Sequence, residues 1–307
     1  MDNIKRLRQL FEFDLNGFIV LPGFLSSGDV YKINGILDRQ PDARVAHKFH
    51  FVTLDEIFLD LLSAPEVLEI CRTWVNPYFR FDHAWGVQHY PDEPNPSERK
   101  NLHGGPYQEQ GYFQYHWHNG SPSCSCIVFS YILEPQRKGD GGLVIVPGSH
   151  KTNVGLSGQQ VFRNLLDRDH GNAAWVVQPE LEAGDLLIFT EAAIHGTETW
   201  KCPDRRRRNL YYKYSHGFMS WPLADDEETQ QLRCLARTDV ERNLLRPPYV
   251  STTTGNRLDW RPTTITDSRP QLPPGVLARL LASRGDRLAP DSPAVVRLQD
   301  TEADQQK

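Results

Sequence analysis

The chain of 307 residues has only five cysteines and two methionines, and no apolar run approaching the roughly 18 residues that a membrane-spanning helix needs. Cys71, Cys124, Cys126, Cys202 and Cys234 are odd in number and include no Cys-x-x-Cys pair. That pattern argues against a disulfide framework and a multi-thiolate zinc site, and fits reduced thiols in the cytoplasm. Cys124 and Cys126 lie two apart in an apolar run, which predicts small residues on one face of a strand. Basic excess is also absent: the formal net charge of −5 argues against a nucleic-acid polymer as partner. A local cluster of Arg and Lys would still suffice for a small anion. The opening MDNIKRLRQLFEF has scattered charge and no small-residue cleavage site, unlike a secretory leader.

What is present is a block of short β-type segments. Residues 2–12 predict a short helix and 16–26 a strand ending in the Pro22-Gly23 turn. Ser26 or Ser27 is placed to cap a helix over 28–38. Helical periodicity broken by Pro65 predicts two helices near 55–63 and 65–75. Aromatic alternation predicts a strand over 80–89, followed by a Pro- and Gly-rich loop at 91–111. Further strands are expected at 112–118, 124–134, 143–147, 174–178, 185–190, 194–199 and 206–215, with helices near 225–236 and 275–284. Short strands joined by Gly-containing turns, with helices mostly outside the block, predict a mainly β fold, a double-stranded β-helix (jelly roll, cupin-like) with flanking α-helices. The expected organisation is a catalytic domain over 1–220, a helical and loop extension over 221–286, and a flexible polar tail over 287–307.

Non-heme iron sites use two His and one carboxylate on one face of the metal, leaving the other positions open. His195 lies in LLIFTEAAIHGTETW at the rim of a core, and the Arg205–Arg208 run follows ten residues later. Strand alternation puts Arg205, Arg207, Asn209 and Tyr211 on one face and Arg206, Arg208, Leu210 and Tyr212 on the other. One inward Arg is suited to a bidentate grip on a carboxylate, leaving the other three solvated.

Four segments, FEFDLNGFIVLPGFLS, GDGGLVIVPGSHKTN (139–153), AGDLLIFTEAAIHGTETW (183–200) and RRRNLYYKYSHG, together resemble the phytanoyl-CoA dioxygenase family of Fe(II)/2-oxoglutarate enzymes, from about residue 10 to 220. The resemblance implies His195 as the distal iron ligand and Arg207 as the 2-oxoglutarate arginine, with Arg206 in reserve. It also implies Thr197 as a hydroxyl assisting the cosubstrate carboxylate. His150 and Lys151, in the Pro147-Gly148-Ser149 turn, are expected to be structural.

Two candidates compete for the nearer ligand. Leu-His-Gly-Gly-Pro offers His103, while Tyr-His-Trp-His offers His116 and His118 on one strand face. His103 is preferred, leaving His116 and His118 to touch substrate or cap a strand. With His103 as ligand, the usual carboxylate position holds Gly105. Glycine leaves room for chloride, which restores the missing negative charge. His-x-Gly resembles the Fe(II)/2-oxoglutarate halogenases of this superfamily, in which a substrate radical takes chlorine instead of hydroxyl. Glu191, four residues before His195, is expected to sit on the wrong side of a strand or in its turn, and so not to substitute.

The cofactors implied are Fe(II), 2-oxoglutarate, chloride and O₂. The short chain resembles the free-standing halogenases acting on nucleotides such as deoxyadenosine monophosphate, with no carrier protein. Candidate substrate contacts are Tyr107, Phe113, Lys213, His116 and His118. The alternatives are a hydroxylase of a small molecule with a non-standard third ligand, and a family member that has lost redox activity and only binds.

Overall fold

The computed structural model describes residues 3–40, 48–90, 102–105, 113–118, 120–153, 175–221 and 227–248. The expected helix at 275–284 and the tail at 287–307 lie outside them. Helix α1 (Asn3–Asn16) leads through Gly17 into β1 (Phe18–Leu21). Gly17 has a φ of +80°, and a Cβ there would lie 2.6 Å from the His150 Nδ1. Helix α2 (Ser27–Asp38) starts where the sequence predicts. The Ser26 hydroxyl accepts from the Asp29 backbone N–H, and the Asp29 carboxylate accepts from that of Ser26. Helices α3 (Glu56–Leu62) and α4 (Pro65–Trp74) are separated by Ser63 and Ala64, with Pro65 in the first turn of α4, where a missing N–H costs nothing.

The strands are β2 (Lys48–Phe49), β3 (Phe79–His89), β4 (Tyr115–His118), β5 (Ser121–Cys124), β6 (Cys126–Ile132), β7 (Gly142–Ile145), β8 (Leu186–Thr190), β9 (His195–Glu198) and β10 (Arg207–His216). Six of them form one antiparallel sheet in the order β1-β8-β6-β10-β3-β2, and β4-β5 and β7-β9 form two separate pairs. The mainly β architecture with flanking helices is present. The two sheets expected of a jelly roll are seen as one continuous sheet plus two short pairs.

The sequence reading also differs from the structure in individual elements. The strand expected over 124–134 breaks at Ser125, whose N–H goes to the Gln114 carbonyl and whose hydroxyl accepts from the Gln114 N–H. Cys124 and Cys126 therefore belong to different sheets. Of the strand expected at 174–178, the described residues 175–178 make only an isolated bridge, between Val177 and Ile145. After α5 (Glu227–Leu235), a further helix α6 (Asp239–Leu244) is capped reciprocally by Thr238 and Glu241.

One face of the large sheet packs on the helices. Leu210, Tyr212, Tyr214, Phe129, Tyr131 and Ile188 join the core formed with α2, α3 and α4. The hydroxyls of Tyr212, Tyr131 and Tyr214 donate to the carbonyls of Phe58, Leu61 and Leu62. Those of Tyr131 and Tyr214 reach the last turn of α3, where the helix does not use every carbonyl. The opposite face holds a second apolar cluster including Val128, Leu143, Ile145, Leu187, Phe189 and Tyr211. Arg207, Asn209 and Lys213 share the Tyr211 side of β10, by the two-residue strand period. Among the described residues, no helix is long and apolar enough to cross a membrane.

Candidate metal centre

His195 begins β9, just beyond a tight turn closed by the Ala193 N–H on the Thr190 carbonyl. His103 joins it through an isolated antiparallel bridge, with backbone hydrogen bonds of 2.8 Å in both directions. The two imidazole centroids lie 4.3 Å apart. The His195 Nδ1 pairs with the Ala193 carbonyl at 2.8 Å, so Nδ1 carries the proton and Nε2 keeps its lone pair. Burial, aided by His103, lowers the His195 pKa to about 4, so the ring is neutral near pH 7. Phe189 packs against the same ring at 4.8 Å.

Both glycines after His103 have a backbone reason. Gly104 has a φ of +86°, and a Cβ there would strike the Ala193 carbonyl oxygen and lie 2.9 Å from that of Glu191. Gly105 has a φ of +93°, and its Cβ would sit 3.1 Å from the Ile194 Cγ1. L-residues with a side chain rarely adopt that conformation. The missing side chain at 105 thus accompanies the way this segment crosses the turn before His195.

That turn is anchored from beneath. The Ser149 hydroxyl accepts from the Ile194 N–H at 2.7 Å and donates to the Val146 carbonyl at 2.6 Å. His150 is buried, its Nε2 3.0 Å from the Asp14 carbonyl oxygen, and Lys151 pairs with the Asp14 carboxylate at 3.1 Å. Both side chains therefore fasten α1 to the turn instead of facing His195.

Glu191 lies in the turn, one of the two places expected for it, but close to His195. Its buried carboxylate lies 3.8 Å from the His195 Nε2 and is ion-paired with Lys213. Because the chain turns over Thr190–Ala193, regular strand alternation does not apply to this residue. Burial pushes its pKa up, but Lys213, His195 and His103 outweigh this and hold it at about 2. The Lys213 ammonium lies 4.3 Å from the ring centre of Trp85 and 4.1 Å from that of Trp221. Phe113 packs on Trp221 at 4.5 Å, and the Trp221 N–H is held by both Asp82 carboxylate oxygens at 3.0 Å.

Arg207 is fully buried, and its Nη2 donates to the Tyr211 hydroxyl at 2.9 Å. Its Nε and Nη1 have no hydrogen-bond partner among the described residues. Buried guanidinium N–H groups without acceptors are costly, so this edge is shaped for an incoming anion. Arg206, the reserve choice, lies on the opposite side and is held by Asp38 and Glu134. The remaining arginines are not merely solvated: Arg205 pairs with Asp140, and buried Arg208 reaches Asp38, Asn34 and Gln88. Thr197 is two residues beyond His195 on β9, opposite Leu143 of β7. His116 is exposed, its Nε2 2.6 Å from the Gln114 side-chain oxygen. Tyr107 and the His118 side chain lie outside the described residues.

Among the described residues, no three His, Cys, Asp or Glu side chains already close around one metal-sized centre. The donor chemistry nevertheless fits a divalent cation: two adjacent imidazoles, one with a free Nε2, and an ionised carboxylate beside them.

An antiparallel β fold that brings two imidazoles together at a strand bridge, with unpartnered guanidinium donors on the six-stranded sheet, defines the class as a β-sheet protein with a histidine-based site. The chain matches the family described as Phytanoyl-CoA dioxygenase (PhyH) over residues 13–208 and belongs to that family. It is 23% identical over 228 residues to the peroxisomal phytanoyl-CoA dioxygenase of Bos taurus, covering 64% of each chain. It is 23% identical over 246 residues to the ectoine dioxygenase of Halomonas elongata, covering 67% of this chain and 69% of that one. Among solved structures, HygX from Streptomyces hygroscopicus with nickel and 2-oxoglutarate bound is 25% identical with a TM-score of 0.59, covering 70% of this chain and 89% of the other. The epimerase SnoN from nogalamycin biosynthesis, at 15% identity and a TM-score of 0.50, covering 71% of this chain and 85% of the other, shares the fold. The chain spans just under two thirds (64%) of the length of the bovine relative.

Proposed function

We propose that this chain is an Fe(II)- and 2-oxoglutarate-dependent oxygenase that oxidises an aliphatic C–H bond of a free small molecule. The observation carrying this reading is the His103–His195 pair combined with the open, buried edge of Arg207. When bound, iron and 2-oxoglutarate supply the oxidising power with O₂, as 2-oxoglutarate loses CO₂ to become succinate. The residues here do the holding. His103 and His195 offer nitrogen donors, and Arg207, oriented by Tyr211, takes the far carboxylate of 2-oxoglutarate with Thr197 as a further donor. Phe189, Leu143 and Ile145 give the site an apolar wall that keeps water from that side.

Two fates of the C–H bond each have one observation in their favour. Hydroxylation is favoured by the Glu191 carboxylate beside His195, which supplies the anionic group lacking at position 105. Chloride-dependent chlorination is the second reading, favoured by the bare Gly105 itself. For substrate, a nucleotide such as deoxyadenosine monophosphate remains the proposed class, with Phe113, Trp85 and Trp221 as aromatic surface nearby. Lys213, Lys151 and Arg206 are committed to ion pairs with Glu191, Asp14 and Asp38, so a phosphate must draw its cation from other residues.

The test is turnover with Fe(II), 2-oxoglutarate and O₂ over a panel of nucleotides and other small molecules, with and without chloride, followed by mass spectrometry and succinate assay. A chlorine isotope pattern supports chlorination, and gain of one oxygen atom in both buffers supports hydroxylation. Neither product nor succinate would overturn the oxygenase reading in favour of a binding role.

A further inference from the structure

Glu191 and Lys213 form a buried ion pair that the sequence motifs do not account for. Both side chains are nearly inaccessible, at 1% and 4% exposure. Taking two charges out of water costs several kcal/mol per ion before their attraction repays it, and a pair of apolar residues would often be at least as stable. The pair also lies next to His195, with one carboxylate oxygen on Lys213 and the other 3.8 Å from the His195 Nε2. Position 105, where the usual spacing would put a carboxylate, has a φ of +93° and faces Ile194.

Resting on the reading of an iron site above, we propose that Glu191 supplies the site's anionic metal ligand from the end of β8, and that Lys213 is the positioning residue that aims it. Two ligands each about 2.1 Å from a metal and at a right angle lie about 3 Å apart. The Glu191 Oε2 therefore has to approach the His195 Nε2 by under about 1 Å. A rotation of the carboxylate about its last bonds covers that distance. Trp85 and Trp221 cage the Lys213 ammonium at 4.3 and 4.1 Å, so its charge stays in place while the carboxylate turns. A ligating carboxylate whose second oxygen is held by a fixed donor is oriented in the way metal sites require.

The experiment titrates the full-length protein with Co(II), by calorimetry and visible absorption, in chloride-free buffer and with chloride added. The wild type is expected to bind equally in both. Glu191→Gln is expected to weaken Co(II) binding about 100-fold and change its absorption bands, with chloride restoring part of the loss. Lys213→Met is expected to bind about 10-fold more weakly, with shifted absorption bands and no rescue by chloride, because the ligand remains but is no longer aimed; a merely structural pair would leave the bands of both single variants unchanged. Should Glu191→Gln fold poorly with Lys213 left uncompensated, the double variant Glu191→Gln/Lys213→Met removes both charges and is expected to show the same 100-fold loss. Wild-type affinity in Glu191→Gln or the double variant, or equal losses in the two single variants, overturns the proposal. If wild type binds no Co(II) and consumes no 2-oxoglutarate, the oxygenase reading itself fails. If it does both while Glu191→Gln is unaffected, only the role of Glu191 fails.

Discussion

Arg207→Met is the most informative single change, because it moves stability and cosubstrate binding in opposite directions. The Arg207 side chain is fully buried with one contact to the Tyr211 hydroxyl, leaving Nε and Nη1 without acceptors among the described residues. Met has a similar length and no charge, so the ligand-free protein is expected to be unchanged or more stable, since an uncompensated buried cation is removed. The bound state loses a bidentate carboxylate contact. Charge-assisted hydrogen bonds contribute roughly 1.5–3 kcal/mol each, and two made together, less the cost of desolvating the carboxylate, leave about 3 kcal/mol. That is a rise of roughly 150-fold in the 2-oxoglutarate Kd. The assay is thermal unfolding with a redox-inert divalent metal, with and without 2-oxoglutarate, alongside direct titration. At about 100 times its Kd, the cosubstrate should stabilise the wild type by roughly 2.7 kcal/mol and the variant by a few tenths. Arg206→Met should keep the 2-oxoglutarate affinity while losing its ion pairs with Asp38 and Glu134. Full cosubstrate stabilisation of Arg207→Met, or its loss in Arg206→Met, would refute the assignment.

Gly104→Ala should lower stability by roughly 2–4 kcal/mol, measured by urea unfolding, because it adds a collision with the Ala193 carbonyl to a left-handed backbone. Gly105→Asp should destabilise by roughly 1–3 kcal/mol and gain no hydroxylation, since its Cβ would point at Ile194; a stable, more active hydroxylase would show that this backbone admits a carboxylate ligand. His150 is held at about 4, against an ordinary 6.5, chiefly by burial and then by Lys151. A depressed value means that protonation favours the unfolded chain, so this contribution is complete above about pH 6.5 and is lost as pH falls towards 4, by roughly 3 kcal/mol. Urea unfolding between pH 4 and 8 should therefore show a shallower acid slope for His150→Gln than for wild type, and parallel slopes would remove His150 from the account.

The parts of this molecule that obey local periodicity were legible in its sequence. Ser26 and Asp29 mark the start of α2, and the two-residue period of β10 separates Arg207, Asn209 and Tyr211 from Arg206 and Arg208. Alternation does not reveal what covers each face, however. Arg208 was expected in solvent, yet α2 lies over it and supplies Asn34 and Asp38. The Cys124–Cys126 segment read as one strand because nothing in its apolar pattern records that Ser125 bonds to Gln114. Helix α6 was missed although Thr238 and Glu241 have capping-box spacing, since its six residues carry too little periodicity to stand out. Glu191 is a related case, in which the sequence leaves a strand position and a turn position open. Its offset of four from His195 suggests the wrong face only if the chain continues as a strand, and the Thr190–Ala193 turn breaks that rule.

Glycine at position 105 bears on the chemistry through charge, and its backbone changes how that charge should be sought. With two neutral imidazoles and dianionic 2-oxoglutarate, a divalent metal has no net charge, so one further anion gives the balance of an ordinary carboxylate-bearing site. Chloride from solution must give up its hydration to enter, and each tenfold fall in its concentration costs about 1.4 kcal/mol of occupancy. Glu191 has already been desolvated by folding and is held ionised beside His195. The opposing force on it is Lys213, whose ammonium holds the other carboxylate oxygen. Trp85 and Trp221 share part of that cation's charge through their ring faces, which leaves Glu191 less tightly bound than it would be to a bare ammonium. If Glu191 is the ligand proposed above, a change of reaction outcome should be sought at the Glu191–Lys213 pair more than at Gly105.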